Sequence, residues 1–499
     1  MLSDKPKLLI FIVAYNAEGM IDAVLGRIPE AVYDSYRPHI LIIDDSSQDH
    51  TFEAGLSFSR ISPHHNITVL RNPENQGYGG NQKIGYNYAI REGYDIVVML
   101  HGDGQYAPEY MPDIVGPIAA GRADAVFGSR MLKRGGALKG GMPLYKYVGN
   151  KILTFAQNRL MGVCLSEWHS GYRAYRVGAL RQIPFERNDN GFAFDTDIIL
   201  QLMQHRAHIL EVPVPTYYGS EICRVNGLRY AYEIVRNVVL CRLHNMNLIY
   251  ERKYDCCPRG EQYALKLGYA SSHSLAIEMV KAGSWVLDIG CGQGLVAAEL
   301  KKKGCRVVGV DRQRPKNVAP FEAFFLANLP AKERPWDKPY LFDYVLLLDV
   351  VEHMPDPEDF LDRLRVWLQG HPCALIITSA NIAYLLPRLQ LLFGRFNYVK
   401  RGILDMTHLR LFTFSALGKI LSQSGYDVLG LRGIPAPFPE VVRPKGLALF
   451  LVAVNRLLIK LCKSLFSYQI LFVARPRVNL DFLLLRSFRH SRERKREVG

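Results

Sequence analysis

The feature that most restricts this chain is a repeated device: an unbroken apolar run that stops abruptly at acids, glycines or small polar residues. "KLLIFIVAYNAE" (7–18) shows it first, then "HILIIDDSSQDHT" (39–51), "YDIVVMLHGDGQ" (94–105) and "ADAVFGSRM" (123–131). The segments between are of helix length. Runs that are apolar at consecutive positions suit strands buried on both faces, as in parallel sheets covered by helices. Ligands of such sheets collect at the carboxyl ends of the strands. At residue 284 the device starts again, with "SWVLDIGCGQG" (284–294), "CRVVGVDR" (305–312), "FDYVLLLDVVEH" (342–353) and "CALIITSAN" (373–381). The expected fold is α/β, with two nucleotide-binding Rossmann-like domains in series. At 499 residues the chain exceeds a single ordinary core. The expected organisation is a first domain over 1–250, a linker over 251–262 where the apolar pattern breaks, a second domain over 263–477, and a basic tail over 478–499.

Charge narrows the partners. The net +15 favours anionic ligands: nucleotide diphosphates, phospholipid headgroups or nucleic acid. Nucleic acid is not expected, because no basic-aromatic recognition motif accompanies the charge. From residue 475 onward eight Arg/Lys face three acids. That excess reads as a solvated tail, or as a tether to an anionic membrane. Nine cysteines without a CxxC pair suit reduced thiols better than a disulfide framework. With no signal-peptide pattern and no run of about 18 apolar residues, a cytoplasmic protein is expected, either in solution or peripheral on the inner face of a membrane.

In the first domain, acids at the second strand end, Asp44 and Asp45, can accept hydrogen bonds from a base or ribose; their plainer use is to cap the next helix. Asp103 and Gln105, past "VVML", offer oxygen to Mg²⁺ or Mn²⁺, and a cation there would ease the departure of a diphosphate. Arg130 offers a fixed fork to phosphate. In order along the chain stand "VAYNAE", "IDDSSQD", "NQGYGGN", "HGDGQY", "GSRM", "SGYRAYR", "GFAFDTDI" and "EVPVPTYYGSE". With these, about the first 230 residues resemble the family-2 glycosyltransferases of GT-A fold, particularly polyprenol-phosphate sugar transferases related to dolichol-phosphate mannosyltransferase. The resemblance implies that Ala14, Tyr15, Asp44 and Asp45 line the nucleotide sugar, that Asp103 and Gln105 hold the metal, and that Arg130 and Arg173 handle phosphate. A late acid of the family falls at Asp195 or Asp197, and Asp197 is the candidate base for a hydroxyl acceptor. Three positions depart from the family: Val13 for proline, Ala17 for an acid, and His101 for the first metal carboxylate. Imidazole suits Mn²⁺ better than Mg²⁺, so His101 is either a third metal group or a neighbour of the site. The Q-x-x-R-W of processive members is missing at "QLMQHR" (201–206), which favours transfer of a single sugar. Arg224 reads equally as an acceptor-phosphate contact or as a solvated loop arginine.

In the second domain, Asp288, Gly290, Gly292 and Gly294 occupy a strand-to-helix turn where glycine lets a ligand approach the backbone. Asp311 ends the next strand, placed for ribose hydroxyls, and "DVVEHM" with Asp349 ends a later one. This order resembles class I S-adenosylmethionine-dependent methyltransferases. The resemblance implies that Asp288 and the glycines hold the methionine part, Asp311 the ribose and Asn328 the adenine. "RFNYVKRGILDMTHLRLFTFSALGKIL" (395–421) is similar to a segment these enzymes place over the methyl acceptor. His408 there is either a general base or a histidine bonded within its own loop. "GLALFLVAVNRLLIKLCKSLF" (446–466) is too interrupted by charge to span a membrane; it reads as a helix covering the sheet, with a lesser reading as an interfacial helix.

Together these readings give a bifunctional enzyme. One half moves a sugar from a nucleoside diphosphate sugar to a polyprenyl phosphate or glycan, using Mg²⁺ or Mn²⁺. The other moves a methyl group from S-adenosylmethionine to a glycan or glycolipid. The alternative is a methyltransferase whose first domain is a non-catalytic glycan- or lipid-binding module.

Overall fold

The protein's structure, a computed structural model, describes residues 5–62, 66–133, 135–215, 226–256, 265–328, 333–336, 338, 340–368, 373–478 and six residues beyond, 483–484, 487–488 and 490–491. The chain forms two compact units, Met1–Glu261 and Gln262–Gly499. Arg224 and most of the basic tail lie outside the described residues.

The first unit is built on a sheet of seven strands. β1 (Lys7–Ala14), β2 (Arg37–Asp44), β3 (Ile67–Arg71) and β4 (Ile96–His101) are followed by β5 (Ala125–Ser129), β6 (Arg173–Arg176) and β7 (Ile209–Pro213). Their order is β3-β2-β1-β4-β6-β5-β7, and only β6 runs antiparallel. The apolar runs become strands because both faces find cover. Leu9, Phe11, Val97 and Met99 enter one core, and Leu8, Ile10, Val98 and Leu100 enter the other. This is the two-residue alternation of a strand, apolar at both phases.

The second unit repeats the plan. β8 (Trp285–Ile289), β9 (Arg306–Asp311), β10 (Ala323–Leu326), β11 (Tyr344–Leu348) and β12 (Ala374–Ala380) run parallel. β13 (Tyr426–Ile434) and β14 (Gln469–Pro476) complete the order β10-β9-β8-β11-β12-β14-β13, with β14 antiparallel to both neighbours. In each sheet the strand order reverses once beside the first strand, between β1 and β4 and between β8 and β11. A doubly wound sheet opens its ligand crevice at such a point.

Two expectations need correction. Residues 252–256 are not linker: Tyr254 is fully buried in the first unit and its hydroxyl donates to Asp197. The helix Lys445–Leu461 does rest on its surroundings, burying Ala448, Val452 and Asn455, but a wide apolar face is left bare. Among the described residues no helix is long and apolar enough to cross a membrane.

Candidate active sites

At the first reversal point Val13 of β1 pairs with His101 of β4, and Ala14 pairs with Asp44 of β2. The following loops are laced together: Ser47 Oγ accepts from Asn16 N at 2.8 Å, and Thr51 Oγ1 accepts from Ala17 N at 2.7 Å. Asn16 and Ser46 both hold positive φ, 50° and 61°. Non-glycine residues pay for that conformation and keep it where the surroundings impose it, often at ligand sites. Tyr15 projects from this rim, 38% exposed.

His101 is oriented by a chain of hydrogen bonds. Its Nε2 lies 3.1 Å from the Tyr78 hydroxyl, which also lies 3.1 Å from Asp195 Oδ2. The phenol has one hydrogen and gives it to the carboxylate, so His101 Nε2–H donates to Tyr78. The lone pair is thereby left on Nδ1. The rings of Tyr78 and Tyr106 meet the imidazole edge-on, with centroids 5.4 and 5.0 Å away. Burial raises the Tyr78 phenol well above its ordinary range, with Asp195 adding to the effect, so the hydroxyl stays protonated. Asp103 follows on a tight turn in which its Oδ1 accepts from Gln105 N at 3.1 Å. Among the described residues no three His, Cys, Asp or Glu groups converge to hold a metal. The donors near this strand end are mixed: the Asp103 carboxylate, the Gln105 amide oxygen and the His101 imidazole, each of a kind that a divalent cation accepts.

Several expected site residues make contacts inside the fold. Asp44 is fully buried; its Oδ1 accepts from Ser47 N, while its Oδ2 has no hydrogen-bond partner and lies 3.5 Å from Arg71 Nε. Ala14 is buried and its carbonyl accepts from Asp45 N. Asp45, 3% exposed, accepts from Asn72 Nδ2 at 2.7 Å and Gln76 N at 2.9 Å, pinning the segment after β3. Arg130 is not a fork held out to phosphate. Its Nε donates to Glu167 at 2.8 Å and its NH2 to the His169 carbonyl. Burial pushes the Glu167 carboxyl up, but Arg130 more than reverses this and holds it below its usual range. Arg173 is buried too: it donates to the Ser170, Asp195 and Trp168 carbonyls and stacks on Phe127 at 4.9 Å. Asp197 cannot serve as a base, because it is fully buried with Lys253 Nζ 2.9 Å from Oδ2 and Tyr254 OH 2.8 Å from Oδ1. Asp195, one turn-face away, is the acid that reaches the strand end. Tyr78 stands in "NQGYGGN" without a role in the sequence reading; a tyrosine beside paired glycines carries no signal that its hydroxyl joins the end of β4 to the helix Phe194–Gln204.

At the second reversal point Gly290, Gly292 and Gly294 all take positive φ, 76°, 54° and 74°. A Cβ on Gly290 would fall 2.5 Å from Val350 Cγ2, whereas the space beside Gly292 is open. Asp311 Oδ2 accepts from Gly292 N at 2.8 Å and its Oδ1 from Gln313 N. Asp288 is 3% exposed, and its Oδ2 has no hydrogen-bond partner. Burial, with Asp311 adding to it, pushes the Asp288 carboxyl up to about 7. A buried carboxylate oxygen without a partner beside an open glycine turn fits a ligand bearing an ammonium group and hydroxyls. Asn328 is exposed just past β10, beside the strand that ends at Asp311. Asp349, counted from the sequence among the S-adenosylmethionine-binding residues, lies just past β11. It holds φ 57° and accepts from Ser272, Thr378 and Gln469 side chains, fixing the turn below the crevice.

The loop carrying His408 docks on that turn. Glu352 O accepts from Leu409 N and Arg410 N, and Arg410 forks onto Glu358. His408 Nδ1 donates to Ile403 O at 2.9 Å, and His353 Nδ1 to Thr407 O at 3.1 Å, with the two rings 4.9 Å apart. In the neutral ring of His408 the lone pair is therefore on Nε2. Burial lowers the His408 pKa below its usual value, which keeps the ring neutral near pH 7. His353 and the buried Glu352, whose carboxyl burial and Asp349 push up to about 8, were not singled out from sequence. The loop thus binds Nδ1, as the second reading of His408 had it, and Nε2 is left as a hydrogen-bond acceptor.

A family model described as glycosyl transferase family 2 matches residues 9–183, and one described as a methyltransferase domain matches residues 263–431. The UDP-N-acetylglucosamine–dolichyl-phosphate N-acetylglucosaminyltransferase of Methanococcus voltae is 30% identical over 249 residues, 48% of this chain and 97% of that protein. The undecaprenyl-phosphate mannosyltransferase of Micrococcus luteus is 28% identical over 221 residues, 43% of this chain and 85% of that protein. The ubiquinone biosynthesis O-methyltransferase of Acinetobacter baylyi is 30% identical over 117 residues, 21% of this chain and 48% of that protein. The chain is an enzyme that belongs to glycosyl transferase family 2 in its N-terminal half and carries a methyltransferase domain in its C-terminal half.

Proposed function

We propose that the first unit transfers one sugar from a nucleoside diphosphate sugar to a polyprenyl phosphate, and that the second methylates a hydroxyl of a glycan or glycolipid. The observation that carries the reading is the convergence of Tyr15, His101 and Asp103 on one reversal point and of Asp288, Gly292 and Asp311 on the other. In the first unit Asp103, Gln105 and His101 Nδ1 would hold a divalent cation, which supplies charge to a departing diphosphate. Tyr78 and Asp195 set the imidazole; Arg130 and Arg173 keep the walls in place. A lipid phosphate is already anionic and needs little general-base help, which agrees with the burial of Asp197. The relatives named for undecaprenyl and dolichyl phosphate support this acceptor.

Two neighbouring helices of this unit support it further. Leu144–Met161 exposes Leu144, Val148, Ile152 and Phe155, and Gly227–Asn245 exposes Leu228, Tyr232, Val235 and Val239. Each set follows helical spacing and suits the apolar tail of a polyprenol.

In the second unit, S-adenosylmethionine supplies an electrophilic methyl group. Asp288 and the glycine turn would hold its amino-acid end and Asp311 its ribose. His408 Nε2 takes the proton of the acceptor hydroxyl.

The test is incubation with nucleotide sugars, polyprenyl phosphates and S-adenosylmethionine, read by mass spectrometry. A single hexose or N-acetylhexosamine on the lipid phosphate is expected, lost in Asp103→Ala, together with a 14-dalton methyl increment lost in His408→Ala. Absence of both products from the native chain sinks the reading.

A further inference from the structure

The methyltransferase unit leaves large apolar side chains uncovered on two adjoining segments. The helix Leu385–Leu392 and the residues after it expose Leu389 (41%), Leu392 (76%), Phe393 (75%) and Phe396 (40%). The helix Lys445–Leu461 exposes Phe450 (63%), Val454 (37%), Leu457 (61%) and Leu461 (77%). At 100° per residue those last four lie within an arc of about 60°, opposite the buried Ala448, Val452 and Asn455. The helix is thus apolar on both faces and covered on one. The segments are tied together where they meet: Asn381 Nδ2 donates to Ser464 O at 2.9 Å, and Arg388 NH2 to Ser464 Oγ at 3.3 Å. Scattered exposed leucines need no explanation, but a contiguous set on two joined elements marks an interaction surface.

Charge decides what covers it. No Asp or Glu occurs between Asp362 and Asp405, nor between Glu440 and Asp481. Over the same spans the two segments carry Arg388, Arg395, Lys400 and Arg401, then Lys445, Arg456, Lys460 and Lys463. A protein-binding face would mix both signs. Cations of one sign flanking leucine and phenylalanine match an anionic lipid surface, where acyl chains take the apolar groups and each nearby base adds about 1 kcal/mol.

We infer that the face formed by the helices Leu385–Leu392 and Lys445–Leu461 docks the methyltransferase unit onto an anionic lipid bilayer. Asn381 ends β12 on the same side, and the chain from 399 to 408 leads from this face to His408. Docking therefore presents the methyl-acceptor loop to the headgroup layer, where the acceptor is a hydroxyl carried on a lipid. The acceptor part rests on the methylation reading above; the docking rests on this surface alone.

The test uses the full chain with Phe450→Trp or Phe393→Trp and vesicles containing brominated acyl chains. Quenching of both tryptophans is expected with phosphatidylglycerol vesicles, and its loss with pure phosphatidylcholine or high salt. Leu457→Glu combined with Leu461→Glu should cut vesicle co-sedimentation roughly tenfold while S-adenosylmethionine binding stays unchanged. Unquenched tryptophans on a chain that still sediments with vesicles overturn the inference. So does emission that is blue-shifted without lipid and unmoved by it, because protein then covers the face. Quenching without any methylated product retains the docking and removes the acceptor.

Discussion

At the scale of single residues, both crevices are arranged by hydrogen bonds one step removed from a ligand. His101 shows it in the first unit. Its Nε2–H is fixed by Tyr78, which Asp195 fixes in turn, so Nδ1 is the only ring atom that can meet a cation. Outer partners of this kind are worth about 10- to 100-fold in metal affinity or activity. Tyr78→Phe should therefore weaken Mn²⁺ binding in the presence of nucleoside diphosphate by a factor in that range, read as free Mn²⁺ by electron paramagnetic resonance. Unchanged Mn²⁺ binding with reduced turnover would show that the imidazole is not a ligand. Asp288 gives a second residue-scale prediction. Its carboxyl, pushed up to about 7, is protonated in the free protein below that pH. A ligand with an ammonium group favours the ionised form, so binding then includes loss of a proton. Affinity for S-adenosylmethionine should fall as pH drops from 7 to 5.5, by about tenfold per unit at the limit. Asp288→Asn should bind more weakly and without that slope in calorimetry. The same slope in the variant assigns the proton elsewhere.

Elements decide which charged groups face outward. The strands were legible because their apolar runs exceed any alternation, and both sheets form where those runs stand. The strand-end acids were legible as a class. What sequence does not carry is direction: Arg130 ends β5 in the position of a ligand-binding residue, yet its partner Glu167 lies 37 residues later on a segment with no distinguishing pattern. Arg173 and Asp197 show the same thing: Arg173 donates to the Trp168, Ser170 and Asp195 carbonyls, and Asp197 is held by Lys253, 56 residues later. For the Lys445–Leu461 helix, amphipathicity predicts one covered face but cannot report which apolar face is covered and which is left exposed. The Arg130–Glu167 pair makes this scale testable. It joins the end of β5 to residues 166–169, and Asn150 Nδ2 adds a bond to the same carboxylate at 2.8 Å. Glu167→Ala strands a buried guanidinium, which should cost about 3–5 kcal/mol in urea denaturation. A loss under 1 kcal/mol would place that arginine in water, and its phosphate role would reopen.

For the whole molecule the question is why two transferases share one chain. Each unit has its own sheet and cores, so neither requires the other to form its crevice. Covalent linkage changes concentration instead: a tethered partner experiences its neighbour's product at an effective level of about millimolar for a short flexible connection. That gain matters when the first product is the second substrate, and when both reactions occur at a surface that confines the product. Polyprenyl-linked sugar satisfies both conditions, because its tail holds it in the bilayer that the Lys445–Leu461 face is inferred to meet. The order of reaction then follows from the chemistry. On the proposed acceptors sugar transfer would precede methyl transfer, because a bare polyprenyl phosphate has no sugar hydroxyl to methylate. With both donors present and polyprenyl phosphate as the only acceptor, Asp103→Ala should abolish sugar transfer and methyl incorporation together. Asp288→Asn should leave glycosylated lipid intact and unmethylated. Supplying preformed glycolipid to Asp103→Ala should restore methylation to the native rate. If methyl groups still enter polyprenyl phosphate in Asp103→Ala without added glycolipid, the two activities do not act in series, and the link between the domains serves co-localisation alone.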